Sequence, residues 1–153
     1  MRSRRSTKAS PSPLALQSWL AVVRTYNLCD AVMSQRLAAL GLRLGEHEVL
    51  INLLRSPGIT QQQLAERCFV AKSGVSMLVT RMEGSGHLLR ETDPADARVR
   101  RLLLTSEGQA LAALAQQVQN DVIAAMVGHT SDAELATIAE VMQRASVALE
   151  AMR

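Results

Sequence analysis

The stretch Lys72-Ser73-Gly74-Val75-Ser76-Met77-Leu78-Val79-Thr80-Arg81-Met82-Glu83 sorts into two faces when wound as a helix at about 100° per residue. With Lys72 at zero, Val75, Leu78, Val79 and Met82 fall between about 240° and 340°, and Lys72, Ser73, Ser76, Met77, Thr80 and Arg81 between about 0° and 180°. The first arc is apolar and suited to packing on another helix. The second offers small hydroxyls, an ammonium and a guanidinium, and none of its six residues is acidic. Such groups suit base edges and phosphates. A polar arc is also the ordinary exterior of a surface helix, so the flanking sequence must decide.

Working backwards, Thr60 and Gln63 form a T-x-x-Q capping box that starts a short helix to about Arg67, followed by the break Cys68-Phe69-Val70. Before it, Glu46 to Arg55 reads as a helix stopped by Ser56-Pro57-Gly58. Working forwards, Gly84-Ser85-Gly86 ends the two-faced helix. His87–Thr92 and Arg98–Leu104 then read as strands joined by a turn at Asp93-Pro94-Ala95-Asp96-Ala97, the only sheet expected. That hairpin holds Arg90, Arg98, Arg100 and Arg101. A short capped helix, a tight break, a two-faced helix and a basic hairpin make a winged helix-turn-helix. Its second helix fits a major groove about 12 Å wide, while the hairpin reaches backbone or minor groove.

Outside this segment the period is helical throughout. Leu16, Leu20, Val23, Tyr26, Met33, Leu37 and Leu40 mark a long helix over about 14–40, ended by Gly41. Thr105 caps another long helix carrying Leu111, Leu114, Val118, Val122 and Met126. Ser131 and Glu134 start a last helix with Leu135, Ile138, Met142, Ala145, Leu149 and Met152 at alternating steps of three and four, the seam of helix-on-helix packing. The fold class expected is therefore mostly α with a small β-hairpin wing. Residues 1–13, with four cations, Ser and Pro but no acid, read as a disordered basic tail, and 14–153 as one domain.

Composition agrees. The chain has 153 residues, 48% apolar and 20% charged, with Trp19, Tyr26 and Phe69 as its only aromatics, which favours a core of Leu, Ala, Val and Met on helices. Net charge is +4 over residues 1–13, zero over 14–54, +3 over 55–101 and −4 over 102–153. A field polarised in this way suggests a polyanion met at one end. Cys29 and Cys68 lack metal-ligand or redox spacing, so a reducing, cytoplasmic setting is expected, and no apolar run is long enough for a membrane span. His47, His87 and His129 are scattered and there is no phosphate-binding Gly loop, so neither an enzyme nor a metal or cofactor site is expected.

The segment from Leu42 to Gly108 resembles the MarR family of bacterial transcription regulators. The residues that carry the likeness are Leu64-Ala65, Val70-Ala71-Lys72-Ser73-Gly74-Val75-Ser76, Arg81-Met82-Glu83 with Gly86, Asp96-Ala97-Arg98, and Leu104-Thr105 with Gly108. The resemblance implies a homodimer joined through helices at about 14–40 and 105–153, reading a pseudo-palindromic operator in double-stranded DNA, commonly as a repressor. It places Arg98 in the minor groove with Arg100 beside it, and Lys72, Ser73, Ser76, Met77 and Thr80 at the major groove. Gln61 and Gln62 fall near phosphate. Asp96 is expected to pair with Arg81 as a brace for the wing, which leaves Arg81 shared between that role and DNA. Such regulators often answer to small aromatic or phenolic effectors, for which Trp19, Tyr26 and His47 are the expected lining, although aromatic residues on an apolar stripe also serve as core. Cys29 lies too far along its helix to match the peroxide-sensing members and reads as a small core residue. The competing reading is a winged-helix protein-interaction module that does not read DNA.

Overall fold

The computed structural model describes residues 10–69 and 71–153; residues 1–9, most of the expected tail, and Val70 lie outside the description. The order is α1 (Pro13–Ala38), α2 (Leu44–Arg55), α3 (Gln61–Arg67), α4 (Lys72–Gly84), β1 (Leu88–Thr92), β2 (Arg100–Leu104), α5 (Ser106–Val127) and α6 (Asp132–Glu150). The expected tail reaches one residue too far, because Pro13 opens α1, its fixed φ suiting the first turn, and Ser12 accepts the Ala15 N–H at 3.1 Å. At the other end Gly41 takes φ +71°, which lets the Leu42 N–H turn back to Leu37 O at 3.0 Å.

The caps read from the sequence are formed. Thr60 Oγ1 accepts from the Gln63 N–H at 3.2 Å, and Gln63 Oε1 accepts from the Thr60 N–H at 2.9 Å. Thr105 Oγ1 accepts from the Gly108 N–H at 3.0 Å and donates to Gly86 O at 2.6 Å, tying the start of α5 to the end of α4's turn. Ser131 and Glu134 close the same reciprocal box at α6.

β1 and β2 pair antiparallel, Leu88 opposite Leu104 and Thr92 opposite Arg100. The hairpin is not the whole sheet. Gly58 N–H donates to Leu102 O and Leu102 N–H to Ile59 O, both at 2.9 Å, and Thr60 bridges to Arg101. The run before α3 thus lines the free edge of β2, a pairing too short to leave an alternating pattern in the sequence.

One core joins these pieces. Leu37 of α1, Leu50 and Leu53 of α2, Leu64 of α3, Val75, Val79 and Met82 of α4, Leu88 and Leu102 of the hairpin, and Ala112 and Ala115 of α5 are all buried. The terminal helices behave differently. α6 has no buried residue, and Ile138, Val141, Met142 and Leu149 are exposed on it. On the first two-thirds of α1, Leu16, Trp19, Leu20, Val23 and Tyr26 are exposed as well. Their apolar stripes find no cover among the described residues.

Gly108 is where the two halves meet most closely, since a Cβ built there would lie 1.8 Å from the His87 carbonyl oxygen. Backbone cannot retreat as a flexible side chain could. Gly108→Ala is expected to lower stability by about 2–4 kcal/mol, measured as the shift in urea unfolding midpoint at unchanged slope.

Candidate nucleic-acid interface

The polar arc of α4 is bare because the apolar arc is spent. Val75 and Val79 are fully buried, Met82 nearly so, and Leu78 is half-buried, whereas Ser73, Ser76, Thr80 and Arg81 are exposed and Met77 is 75% exposed. The Lys72 side chain lies outside the description. Glu83 shares this arc as well, at about 20° on the same wheel. It is neutralised by the guanidinium of Arg90 from β1.

Arg90 is the joint of the site. Besides Glu83 it donates to Thr80 Oγ1 at 3.2 Å and reaches Gln61 Oε1 at 3.5 Å. One side chain therefore ties β1 to the start of α3 and the end of α4, and sets the hairpin beside α4's polar arc. Gln62 donates to Glu66 at 3.3 Å. Both glutamines expected at phosphate thus have partners within the chain.

The expected Asp96–Arg81 brace does not form. Arg81 Nε lies 3.1 Å from Glu46 Oε1, and the other oxygen of Glu46 accepts the Arg43 N–H at 2.8 Å, so one carboxylate caps α2 and clamps α4. Asp96 instead holds Arg98, with Oδ1 accepting from Nε and Oδ2 from Nη2, both at 3.1 Å, and Oδ1 also accepting the Arg98 N–H at 3.0 Å. The two residues are neighbours in the turn, and a local bidentate pair forms without reaching for α4. Arg98 is 90% exposed and projects from the wing. The Arg98 hydrogen bonds hold the Asp96 carboxyl below its ordinary range.

The wing's real brace is Asp93, a residue that sequence reading placed only in a turn. Its side chain is 6% exposed, accepts the Ala95 N–H at 2.7 Å and the Asp96 N–H at 3.2 Å, and pairs with Arg101. Arg101 in turn donates to Gly58 O at 2.8 Å. Of the four hairpin arginines, Arg90 and Arg101 hold structure together and Arg98 and Arg100 face outward, Arg100 donating to Thr92 Oγ1 at 2.8 Å. Asp-Pro followed by Ala and Asp is the trace of this Asx turn in the sequence.

The expected effector residues are dispersed. His47 is buried at 7% exposure with Nε2 lacking a partner, and burial first, then the charge of Arg55, lowers its pKa and favours the neutral ring. Trp19 and Tyr26 stand at 60% and 68% exposure on α1, so they are not core within the chain. A cavity of about 690 Å³ against α4 is bordered by Arg43, Gly45, Met77 and Arg81, and one of about 240 Å³ between α1 and α5 by Cys29, Arg36 and Asp121. Trp19, Tyr26 and His47 border neither. Cys68 is packed beside Glu48, and burial, then that charge, push its thiol up to about 11, which makes it a poor nucleophile. Cys29 is half-buried against the core. No described helix is long and apolar enough to cross a membrane, and no cluster of metal-binding side chains occurs among the described residues.

Residues 40–99, which include α2 through most of the wing, match the family model described as the MarR family. Over that segment the chain belongs to the MarR family. It is 34% identical over 89 residues to the transcriptional regulator HosA of Escherichia coli O111:H-, covering 58% of this chain and 66% of HosA. It is 28% identical over 92 residues to an uncharacterized HTH-type transcriptional regulator of Bacillus cereus, covering 60% of each. The chain thus spans about three-fifths of the length of those Bacillus relatives. In fold it is similar to a mutant MarR from E. coli complexed with operator DNA, with TM-score 0.72 at 18% identity over 90% of this chain and 99% of that one. It is also similar to CouR of Rhodococcus jostii RHA1 bound to p-coumaroyl-CoA, with TM-score 0.76 at 21% identity over 87% and 94%. These MarR-family likenesses carry the winged-helix architecture over nearly the full chain.

Asp93 gives the wing an acid limit. Its turn hydrogen bonds, the Ala95 N–H first and Arg101 next, lower its folded-state pKa. The stabilisation it lends is complete above the ordinary carboxylate value of about 3.9 and is lost as pH falls from there through the depressed value. Amide exchange at Ala95 and Asp96 is expected to lose protection over that acid window. In Asp93→Asn the protection should be weakened already at neutral pH, with core amides such as that of Leu102 unchanged.

Proposed function

We propose that this MarR-family chain is a sequence-specific regulator that binds double-stranded DNA, with no catalytic role. The observation that carries the reading is the joint made by Arg90. It sets a basic hairpin, with Arg98 projecting, beside a helix face whose described side chains are exposed hydroxyls, Met77 and Arg81. The solved MarR–operator complex is of the same fold, which supports the comparison of shape. In this reading α4 enters the major groove with Ser73, Ser76, Met77, Thr80 and Lys72, and Arg98 enters the minor groove with Arg100 beside it, where a narrow groove concentrates negative potential. Gln61 and Gln62 stand near the backbone, and Arg81 acts mainly as the clamp to Glu46.

The working unit is a homodimer built from residues 14–153, with the winged segment at about 42–108. Uncovered apolar stripes on α1 and α6 support this, because a soluble monomer rarely leaves so much contiguous apolar surface bare. A two-fold pair of winged segments would read half-sites about 34 Å apart on a pseudo-palindromic operator. Repression by occupancy follows, in the cytoplasm of a bacterium. A small aromatic or phenolic effector is proposed near His47, whose buried, unpartnered Nε2 seeks a hydrogen bond. The effector would act by binding one dimer geometry better than the other.

Binding to a duplex covering the region flanking its own coding sequence should weaken about 10³–10⁵-fold between 50 and 200 mM salt if six to ten phosphates are contacted. Arg98→Ala should cost about 1–3 kcal/mol at fixed salt. Salt-independent or absent binding would favour the protein-interaction reading. Separately, Ile138→Asp on α6 should convert the dimer to monomer in light scattering, and a dimer unaffected by it would remove α6 from the interface.

A further inference from the structure

Base reading by a helix uses a short vocabulary. Guanine is read by a free Arg or Lys fork, adenine by Asn or Gln, cytosine by a carboxylate, and thymine by apolar contact with its 5-methyl group. The described exposed face of α4 holds little of it. It has no Asn or Gln, its Glu83 is neutralised by Arg90, and Arg81 is drawn by its Nε to Glu46 at the edge of the arc. Thr80 already accepts a hydrogen bond from Arg90. Ser73 and Ser76 remain, but hydroxyls donate and accept alike and distinguish bases poorly.

Met77 is the exception. It sits at about 140° on the wheel, between Ser73 and Arg81. It is 75% exposed, and it is absent from the residues that form or flank the core. A long apolar side chain at this place contributes nothing to folding that Ala would not, and its flexible, polarizable thioether adapts well to a small apolar target. The only apolar feature that the major groove floor presents is the thymine methyl.

We infer that Met77 is a specificity-determining residue of α4 and that it reads a thymine methyl in each operator half-site. The inference rests on the DNA-binding reading above and goes beyond it by naming the base and the atom. Methyl readout by Met77 is then the discrimination that the described face of this helix supplies, with the hydroxyls and the wing fixing register.

The test begins with selection of a binding duplex from a randomised double-stranded library by the full chain. Each thymidine of that duplex is then replaced in turn by deoxyuridine, which removes one methyl and changes no hydrogen-bonding group. One symmetric position is expected to lose affinity about fourfold per half-site, the effect of burying one methyl, and about fifteenfold when both half-sites are changed. Met77→Ala, at an exposed helical position, should bind the selected duplex more weakly and respond equally to thymidine and deoxyuridine there. Met77→Leu should keep the preference. If no deoxyuridine position matters, or Met77→Ala retains the thymidine preference, this inference is overturned while salt-dependent DNA binding stands. If no duplex is selected at all, the DNA-binding reading falls and this inference with it.

Discussion

Burial of Val75, Val79 and Met82 against α2, α3 and the hairpin fixes the rotation of α4 about its own axis, and the chemistry of the exposed arc follows from that rotation. A turn of about 100° would bury Ser76 and Thr80 in one direction or Arg81 in the other, and expose Val75 in both, which burial energetics strongly disfavour. Two clamps hold the C-terminal end of the helix. Glu46 grips Arg81 from α2, and Arg90 grips Thr80 and Glu83 from β1. Both are outside the core and both involve charges, so they add direction to a placement that the apolar contacts already make.

The hairpin shows the same division of labour among residues of one type. Strand alternation sends Leu102 and Leu104 inward and Arg101 to the opposite face, and of the four arginines only Arg98 and Arg100 look away from the protein. Arg90 and Arg101 have carboxylates within reach because Glu83 ends α4 beside β1 and Asp93 starts the turn opposite β2. A basic segment thus keeps its shape with two of its charges and offers the other two. Net charge counts all four equally.

Much of this was legible in the sequence. The two-faced period of residues 72–83, the boxes at Thr60 and Ser131 and the Gly stops announce the helices, since they are local interactions spanning three or four residues. The Asp96–Arg98 pair was misassigned to Asp96–Arg81 because a motif gives residue types and spacing without saying which carboxylate is nearest in space. Glu46 wins Arg81 by tertiary proximity, across 35 positions of chain. The third pairing at Gly58–Thr60 and the buried brace at Asp93 were missed for the same reason: neither leaves a periodic trace, and Asp93 looks like any turn aspartate until Arg101 and the Ala95 N–H are seen to meet on it. The exposure of Trp19 and Tyr26 could not be read either, because an apolar stripe does not say whether its cover comes from the same chain or another.

The exposed pair between Asp96 and Arg98 bears on how the wing would work. An ion pair of which the arginine is 90% exposed is held weakly, since water screens it and side-chain entropy opposes it. It nonetheless holds the guanidinium at the turn by a bidentate contact. In the proposed complex, the field of many phosphates would outweigh one carboxylate, and Arg98 would exchange Asp96 for the groove without breaking any contact of the core. Asp93 and Arg101 do not exchange in this way, because the Asp93 carboxylate is buried and tied to the turn backbone. A rigid inner pair carrying a loose outer pair gives the wing a fixed root and an adaptable tip, the arrangement a minor-groove contact requires when groove width varies with sequence.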